Sequence, residues 1–115
     1  MIDSIYVTLG ADQLKEKPYR EQINSFLKCD GENYIFNWAL SNKPKKEFVW
    51  VYIVIGNKVR WRARFVGYDQ DNPEKTFSDG RRWRCTNWLL LVDFEKLPRP
   101  YEHKKGFQGF RYKYE

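Results

Sequence analysis

Residues 48–66 have the sequence FVWVYIVIGNKVRWRARFV, with two strand-like runs on either side of the dipeptide Gly56-Asn57. Both runs are rich in β-branched and aromatic residues, which favour strands. A two-residue connection of this composition is typical of a tight β-hairpin, because Gly and Asn tolerate the positive φ angles of such a turn. Ile55 and Lys58 should therefore pair beside the turn and set the register of the hairpin.

The predicted register gives the two faces of the hairpin different compositions. One face is apolar and aromatic throughout, and it contains Phe48, Trp50, Tyr52, Val54, Val59, Trp61, Ala63 and Phe65. The opposite face combines an apolar first strand with a cationic second strand, and it contains Val49, Val51, Ile53, Ile55, Lys58, Arg60, Arg62 and Arg64. We therefore expect the first strand to be central in a sheet and the aromatic face to form the core.

The remaining segments show both extended and helical patterns. Runs at residues 5–9, 34–40 and 88–94 predict three further strands. Between the first two, Pro18 suits the first turn of a helix, and apolar residues recur at helical spacing until a stop signal at Gly31. Residues 68–82 form a long polar connection, a kind of segment that is often functional, and Pro98-Arg99-Pro100 should end the last strand.

The composition fits one globular domain spanning residues 1–115. Hydrophobic residues make up 42% of the chain and aromatic residues 18%, which a disordered chain would not contain. Lys and Arg number 21 against 15 Asp and Glu, for a net charge of +6. Such an excess favours polyanionic partners, because each contact with a phosphate releases condensed counterions.

Motifs for catalysis and for cofactors are absent from the sequence. It has no phosphate-binding glycine loop, no G-x-S-x-G and no H-E-x-x-H, and His103 is its only histidine. Cys29 and Cys85 are far apart, and one histidine cannot complete a zinc site with them. We therefore expect a non-catalytic protein with reduced thiols and no metal or cofactor. Because no apolar run of membrane-spanning length and no basic-then-apolar leader occurs, we also expect it to be cytoplasmic without membrane contact.

The cations are clustered in three groups, which are Lys43, Lys45 and Lys46, then Arg60, Arg62 and Arg64, then Arg81, Arg82 and Arg84. Alternate positions on a strand would place the three middle guanidinium groups on one face, about 6–7 Å apart, close to the spacing of phosphates along one nucleic-acid strand. Two interpretations remain open. The groups either contact phosphates or form a solvated face paired with Asp and Glu.

Trp38 and Trp83 differ from the other tryptophans because each lies at the end of a predicted element, beside a polar or basic loop. Tryptophans at such edges can stack on a base, worth about 1–3 kcal/mol each. Two that face each other could clamp an extruded base or surround a methyl group. The alternative is that each ring anchors the loop it borders.

The order of elements and two short motifs resemble the PUA-like superfamily, in particular its EVE and YTH branches. NYIFNWALS, residues 33–41, is similar to the YTH segment in which a tryptophan begins the cage for a methylated base. NWLLLVDFEKLPRP, residues 87–100, is the most similar stretch. The resemblance covers nearly the whole chain. It implies an α+β fold of the PUA-like (EVE/YTH-type) class, a small β-barrel flanked by one or more helices.

The same resemblance implies a site and a biological setting. Trp38 and Trp83 would be the walls of a pocket for a flipped base, with hydrogen bonds to the base edge from Asn37, Ser41 and Asn42. EVE-type domains also occur as N-terminal DNA-specificity domains of archaeal McrB-like restriction proteins. There the partners would be modified DNA and a GTP-driven motor and nuclease subunit.

The expected function is thus recognition of a modified, methylated base, in DNA in preference to RNA, within a modification-dependent restriction system. Two alternatives stay open. One is an RNA-binding domain of the YTH or ASCH type, and the other is a protein-interaction domain that docks a partner subunit through its aromatic face.

Overall fold

The computed structural model describes residues 3–9, 21, 35–40, 42–76, 80, 82–103 and 110–113. Eight strands form in this part of the chain, and their bounds are β1 Ser4–Leu9, β2 Phe36–Leu40, β3 Trp50–Ile55, β4 Lys58–Asp69, β5 Glu74–Thr76, β6 Arg82–Arg84, β7 Asn87–Glu102 and β8 Phe110–Lys113. No helix in the described ranges is long and apolar enough to cross a membrane.

Six strands form one sheet in the order β2-β7-β4-β3-β1-β8, and β5 and β6 pair as a separate two-stranded ribbon. Only the β1–β3 pair is parallel; the other neighbours are antiparallel. The sheet curls into a half-barrel, and strands make up most of the described part of the chain, which is consistent with a small β-barrel. The helix predicted between Pro18 and Gly31 lies outside the described residues except for Glu21, which is helical.

The core lies on one side of this sheet, here called the inner face. Its centre is fully buried and contains Ile5, Val7, Val51, Ile53, Ala63, Leu89 and Leu91. Trp61 joins it, and the rings of Phe36, Phe65 and Phe94 pack around its margin. Burial of these side chains from five adjacent strands is the main force that holds the sheet in its curl.

The hairpin turn forms as predicted, but the register beyond it does not. Gly56 and Asn57 have φ angles of 60° and 63°, and Ile55 pairs with Lys58. A β-bulge then leaves Arg60 without a partner on β3, so that Ile53 pairs with Trp61. The prediction that Trp50 and Tyr52 share the core face with Trp61 is therefore wrong.

The bulge has a clear physical benefit. It places the apolar Val51 and Ile53 on the same face as Trp61 and Ala63, so that no arginine faces the core. Trp50 and Tyr52 turn to the opposite side, here called the outer face, where they lie across from Arg64 and Arg62. Arg60 uses its Nε to donate a hydrogen bond to the Ile55 carbonyl at 3.3 Å.

The last long strand continues through the segment that was expected to end it. Val59 pairs with Tyr101 and Trp61 pairs with Lys96, so residues 97–100 lie opposite Arg60 alone. Because Pro98 and Pro100 have no N–H to donate to the ladder, this stretch bulges away from β4 while the strand resumes beyond it. The predicted strand end is therefore a wide bulge, here called the β7 bulge.

Candidate functional site

Trp38 is packed in the core. Its side chain is 8% exposed, lies on β2 opposite Leu89, and has its ring centre 5.9 Å from that of Phe36. A ring enclosed in this way cannot stack on an incoming base, which corrects the expectation that Trp38 is a pocket wall. The reason is that Trp38 projects from β2 onto the inner face, where its ring is part of the core cluster.

The residues expected beside Trp38 do not converge on one pocket. Asn37 immediately precedes Trp38 on β2 and therefore projects to the opposite face of the sheet. Asn42 is exposed in the loop that follows β2, and Ser41 lies outside the described residues. Asn37 and Trp38 therefore cannot jointly hold a base edge in this structure.

The arginines of β4 are largely neutralised. Arg62 is paired with Glu95 at 2.7 Å and Arg64 with Asp93 at 2.9 Å, both across the β4–β7 ladder. The Arg62 guanidinium also lies 4.0 Å from the ring centre of Trp50. Arg62 and Arg64 therefore fit the interpretation of a solvated sheet face whose arginines are paired with Asp and Glu. The bulge takes Arg60 out of the regular alternation with these two arginines.

The lysines after β2 lie against tyrosine rings. Lys43 has its ammonium 4.8 Å from the ring centre of Tyr68, and Lys46 has its own 5.4 Å from that of Tyr112. The Tyr112 hydroxyl also accepts the backbone N–H of Lys45 at 2.9 Å and that of Lys46 at 3.3 Å. Burial, together with the charge of Tyr112, raises the pKa of Tyr68. The loop is thus fixed to the sheet, with its cationic heads at the surface.

The β5–β6 ribbon presents the most accessible tryptophan of the described chain. Trp83 is 41% exposed and lies across from Lys75, while Arg82 and Arg84 flank it and are exposed on the other face of the ribbon. In the described part of the chain, no carboxylate lies within ion-pair distance of Arg82 or Arg84. Arg81 lies outside the described residues.

A polar network holds this ribbon in place. The Asp69 carboxylate accepts the backbone N–H groups of Asp71 and Asn72, both at 3.1 Å, and forms an ion pair with Lys75 at the start of the ribbon. The hydrogen bond from Lys75, aided by those from Asn72 and Asp71, lowers the pKa of Asp69 from its ordinary value of 3.8 to about 2.

A second anchor comes from the strand that follows. The Trp88 indole, which is 1% exposed, donates its N–H to the Pro73 carbonyl at 3.1 Å. The same carbonyl accepts the backbone N–H of Cys85 at 2.8 Å. The ribbon is therefore held at its base, where β5 begins and β6 ends, and the exposed indole of Trp83 projects from this fixed base.

The outer face carries a tyrosine cluster that the sequence did not predict. The rings of Tyr6 and Tyr52 lie 6.1 Å apart, the hydroxyls of Tyr6 and Tyr101 are 3.2 Å apart, and the His103 ring packs edge-on against Tyr6 at 4.8 Å. Lys113 places its ammonium 5.0 Å from the ring centre of Tyr52. The only sequence signal is that Tyr6 alternates with the buried Ile5 and Val7.

Beside this cluster the β7 bulge creates a cleft of about 390 Å³. We call it the β7 cleft, and its lining residues are Tyr52, Leu97, Pro98, Arg99, Tyr101 and Lys113. Its volume lies near the lower end of the range for small-molecule sites, about 300–1,000 Å³. The lining contains two cations and no carboxylate, so the cleft favours an anionic ligand with apolar or aromatic surface.

Among the described residues no group of three or more His, Cys, Asp or Glu side chains is placed to hold a metal ion. Cys85 is a free thiol whose Sγ lies 3.2 Å from the Leu40 carbonyl oxygen. The described surface carries exposed aromatic rings and exposed cations.

Comparison with protein-family models, curated proteins and solved structures finds no match to this chain.

Proposed function

We propose that this chain is a non-catalytic nucleic-acid-binding module. The observation that carries the proposal is the exposed Trp83 between Arg82 and Arg84 on an anchored β-ribbon. An exposed indole can stack on any base. Arg82 and Arg84 project from the other face of the same two-stranded ribbon, where their guanidinium groups can bind phosphates of a strand that wraps around its edge.

The charge of the chain supports the same target. The net charge of +6 draws the protein towards polyanions, and Lys43, Lys45 and Lys46 add exposed cations to those of the ribbon. Binding of this kind uses backbone charge for affinity and ring stacking for the bases. It needs neither a catalytic residue nor a metal.

The finer parts of the proposal rest on the resemblance of the sequence to PUA-like domains of the EVE and YTH type. In this form the fold is a PUA-like barrel with one or more helices. Its target is a modified base in DNA, and it serves a restriction system whose motor and nuclease lie on another polypeptide segment. Trp83 would then be the tryptophan that contacts the base, and the buried Trp38 would take no part in binding.

The test is fluorescence anisotropy with labelled oligonucleotides and the variant Trp83→Ala. We expect this variant to weaken binding of a single-stranded oligonucleotide about 5- to 150-fold, the loss that follows from removing one stacked ring. Trp83→Phe should retain part of the affinity. Val49→Ala, which shortens an exposed side chain elsewhere, should bind as the wild type does. Equal affinities of Trp83→Ala and wild type would refute the role of the ribbon.

Further arms of the same titration separate the alternatives. A higher affinity for methylated than for unmodified DNA would support recognition of a modified base. Equal affinities for the two would refute that part of the proposal. A preference for RNA over DNA of identical sequence would indicate contacts with the 2′-hydroxyl. Concentration-dependent self-association with no oligonucleotide binding at low salt would instead favour a protein-interaction domain.

A further inference from the structure

We propose that the β7 cleft binds a single unpaired nucleotide, with its base against the tyrosine rings and its phosphate at Arg99 and Lys113. This inference deepens the proposed function and rests on it, but it concerns a surface separate from the β5–β6 ribbon. It assigns a ligand class to a cleft that the sequence did not reveal.

The shape of the cleft is fixed by the backbone. The β7 bulge contains Pro98 and Pro100, whose rings lock φ, so the segment that forms one wall has few conformations to lose on binding. The facing wall is Tyr52, on a central strand that is paired on both sides. A cleft with two such walls is formed before its ligand arrives.

The charge of the cleft selects an anion. Arg62 and Arg64 lie on the same outer face, and each is neutralised by a carboxylate of β7. Arg99 and Lys113 have no such partner in the described part of the chain, and no carboxylate lines the cleft. Two cations on facing elements, β7 and β8, suit a phosphate held between them.

The rings of the cleft select a flat group. Tyr101 is held by the contact between its hydroxyl and that of Tyr6, and burial together with this hydrogen bond raises its pKa, so the phenol is neutral at physiological pH. The Lys113 ammonium lies 5.0 Å from the ring centre of Tyr52. A base that stacks on Tyr52 would displace this flexible side chain towards the phosphate attached to the same nucleotide.

The size of the cleft suits one nucleotide. Its volume of about 390 Å³ lies within the range of small-molecule sites and can take one base with its sugar phosphate. The nucleotide could be free in solution or part of a single strand. The chemistry of recognition is the same for both sources, and the experiment distinguishes them.

The experiment measures binding of AMP, adenosine and a labelled single-stranded DNA octamer to the full chain. We expect AMP to bind more tightly than adenosine, because only AMP has a phosphate. Arg99→Gln and Lys113→Gln should each weaken AMP binding about tenfold, the effect of losing one charge-assisted hydrogen bond. Lys58→Gln is the matched control, since it removes one exposed positive charge outside the cleft and should leave AMP binding unchanged.

Three results decide the outcome. If adenosine binds as well as AMP, or if Arg99→Gln and Lys113→Gln bind AMP as the wild type does while their thermal unfolding is unchanged, the proposal fails. If the cleft variants weaken binding of both AMP and the octamer, a nucleotide within a strand is the ligand. If they weaken AMP alone and the octamer does not bind to the wild type, the cleft takes free nucleotide and the proposed function fails instead.

Trp83→Ala separates the two sites further. This variant should bind AMP with unchanged affinity because Trp83 does not line the cleft. A loss of octamer binding in Trp83→Ala together with unchanged octamer and AMP binding in the cleft variants would leave the ribbon as the binding site and overturn the role of the cleft.

Discussion

Among single residues, Asp69 has the most defined local role. Its carboxylate organises the turn before the β5–β6 ribbon and pairs with Lys75 within that ribbon. Since the ribbon positions Trp83, a change at Asp69 should affect binding without touching the ligand. The depressed pKa of Asp69 gives this link a measurable pH dependence.

We expect acid to remove the stabilisation that Asp69 provides. A carboxylate with a lowered pKa stabilises the folded state fully above its ordinary value of 3.8, and this contribution is lost as the pH falls from there to about 2. Between these pH values the melting temperature of the wild type should therefore fall more than that of Asp69→Asn. Asp71→Asn, an exposed neighbour, should behave like the wild type. Parallel curves for wild type and Asp69→Asn would contradict the assignment.

Trp38 and Trp83 should respond in opposite ways to truncation. Trp38→Ala leaves a cavity in the core and should lower the free energy of unfolding by about 3–5 kcal/mol. Trp83→Ala removes an exposed side chain and should change it by less than about 0.5 kcal/mol, while weakening oligonucleotide binding. Chemical denaturation of both variants tests this contrast. A stable Trp38→Ala with selectively impaired binding would restore Trp38 as a base contact.

At the scale of elements, the β3–β4 turn depends on the backbone that Asn57 adopts. Its φ of 63° is strained for a β-branched side chain. Asn57→Val should therefore destabilise the fold by about 1–2 kcal/mol, as measured by the denaturant midpoint. Asn57→Gly is the control and should have little effect, because Gly adopts this φ without a Cβ penalty. A Val variant as stable as the wild type would show that the turn has another conformation available.

The same hairpin shows what local sequence can predict. Gly56 and Asn57 fix the turn and the first pairs beside it, and both were predicted correctly. The bulge at Arg60 was not predictable from the hairpin alone. Arg60 lies opposite residues 97–100 of β7, which are distant in sequence and also bulge. Strand faces assigned by alternation hold only until the first bulge, and here the bulge follows the second pair.

The candidate site, like the hairpin, was predictable from the sequence only in part. Trp83 and Trp38 were both predicted to line a base pocket from their positions beside polar loops; Trp83 is exposed, whereas Trp38 is buried and cannot do so. The difference is tertiary, because β7 packs along β2 while the ribbon of Trp83 is separate from the main sheet. The β7 cleft combines Tyr52, Arg99 and Lys113 from three strands, and no local pattern brings them together.

For the whole molecule, the distribution of charge is more informative than its sum. If Arg82, Arg84, Arg99 and Lys113 each contact a phosphate of a single strand, log K should fall with log salt with a slope of about −3, from about 0.7 per phosphate. Arg82→Gln should reduce this slope by about 0.7. Arg62→Gln should leave it unchanged, because Glu95 already neutralises Arg62. Equal losses of slope in both variants would show that the ion pairs open on binding.

The parallel pairing of β1 with β3 has a consequence for how the molecule assembles. It joins residues 4–9 to residues 50–55, so it closes a far longer loop than the hairpin does and should form later. In the described sheet β8 pairs only with β1, so we expect β8 and its Lys113 to dock last. Any opening that frees β1 also removes Lys113 from the cleft. Amide exchange in β1 and β8 should therefore slow together when a ligand occupies the cleft.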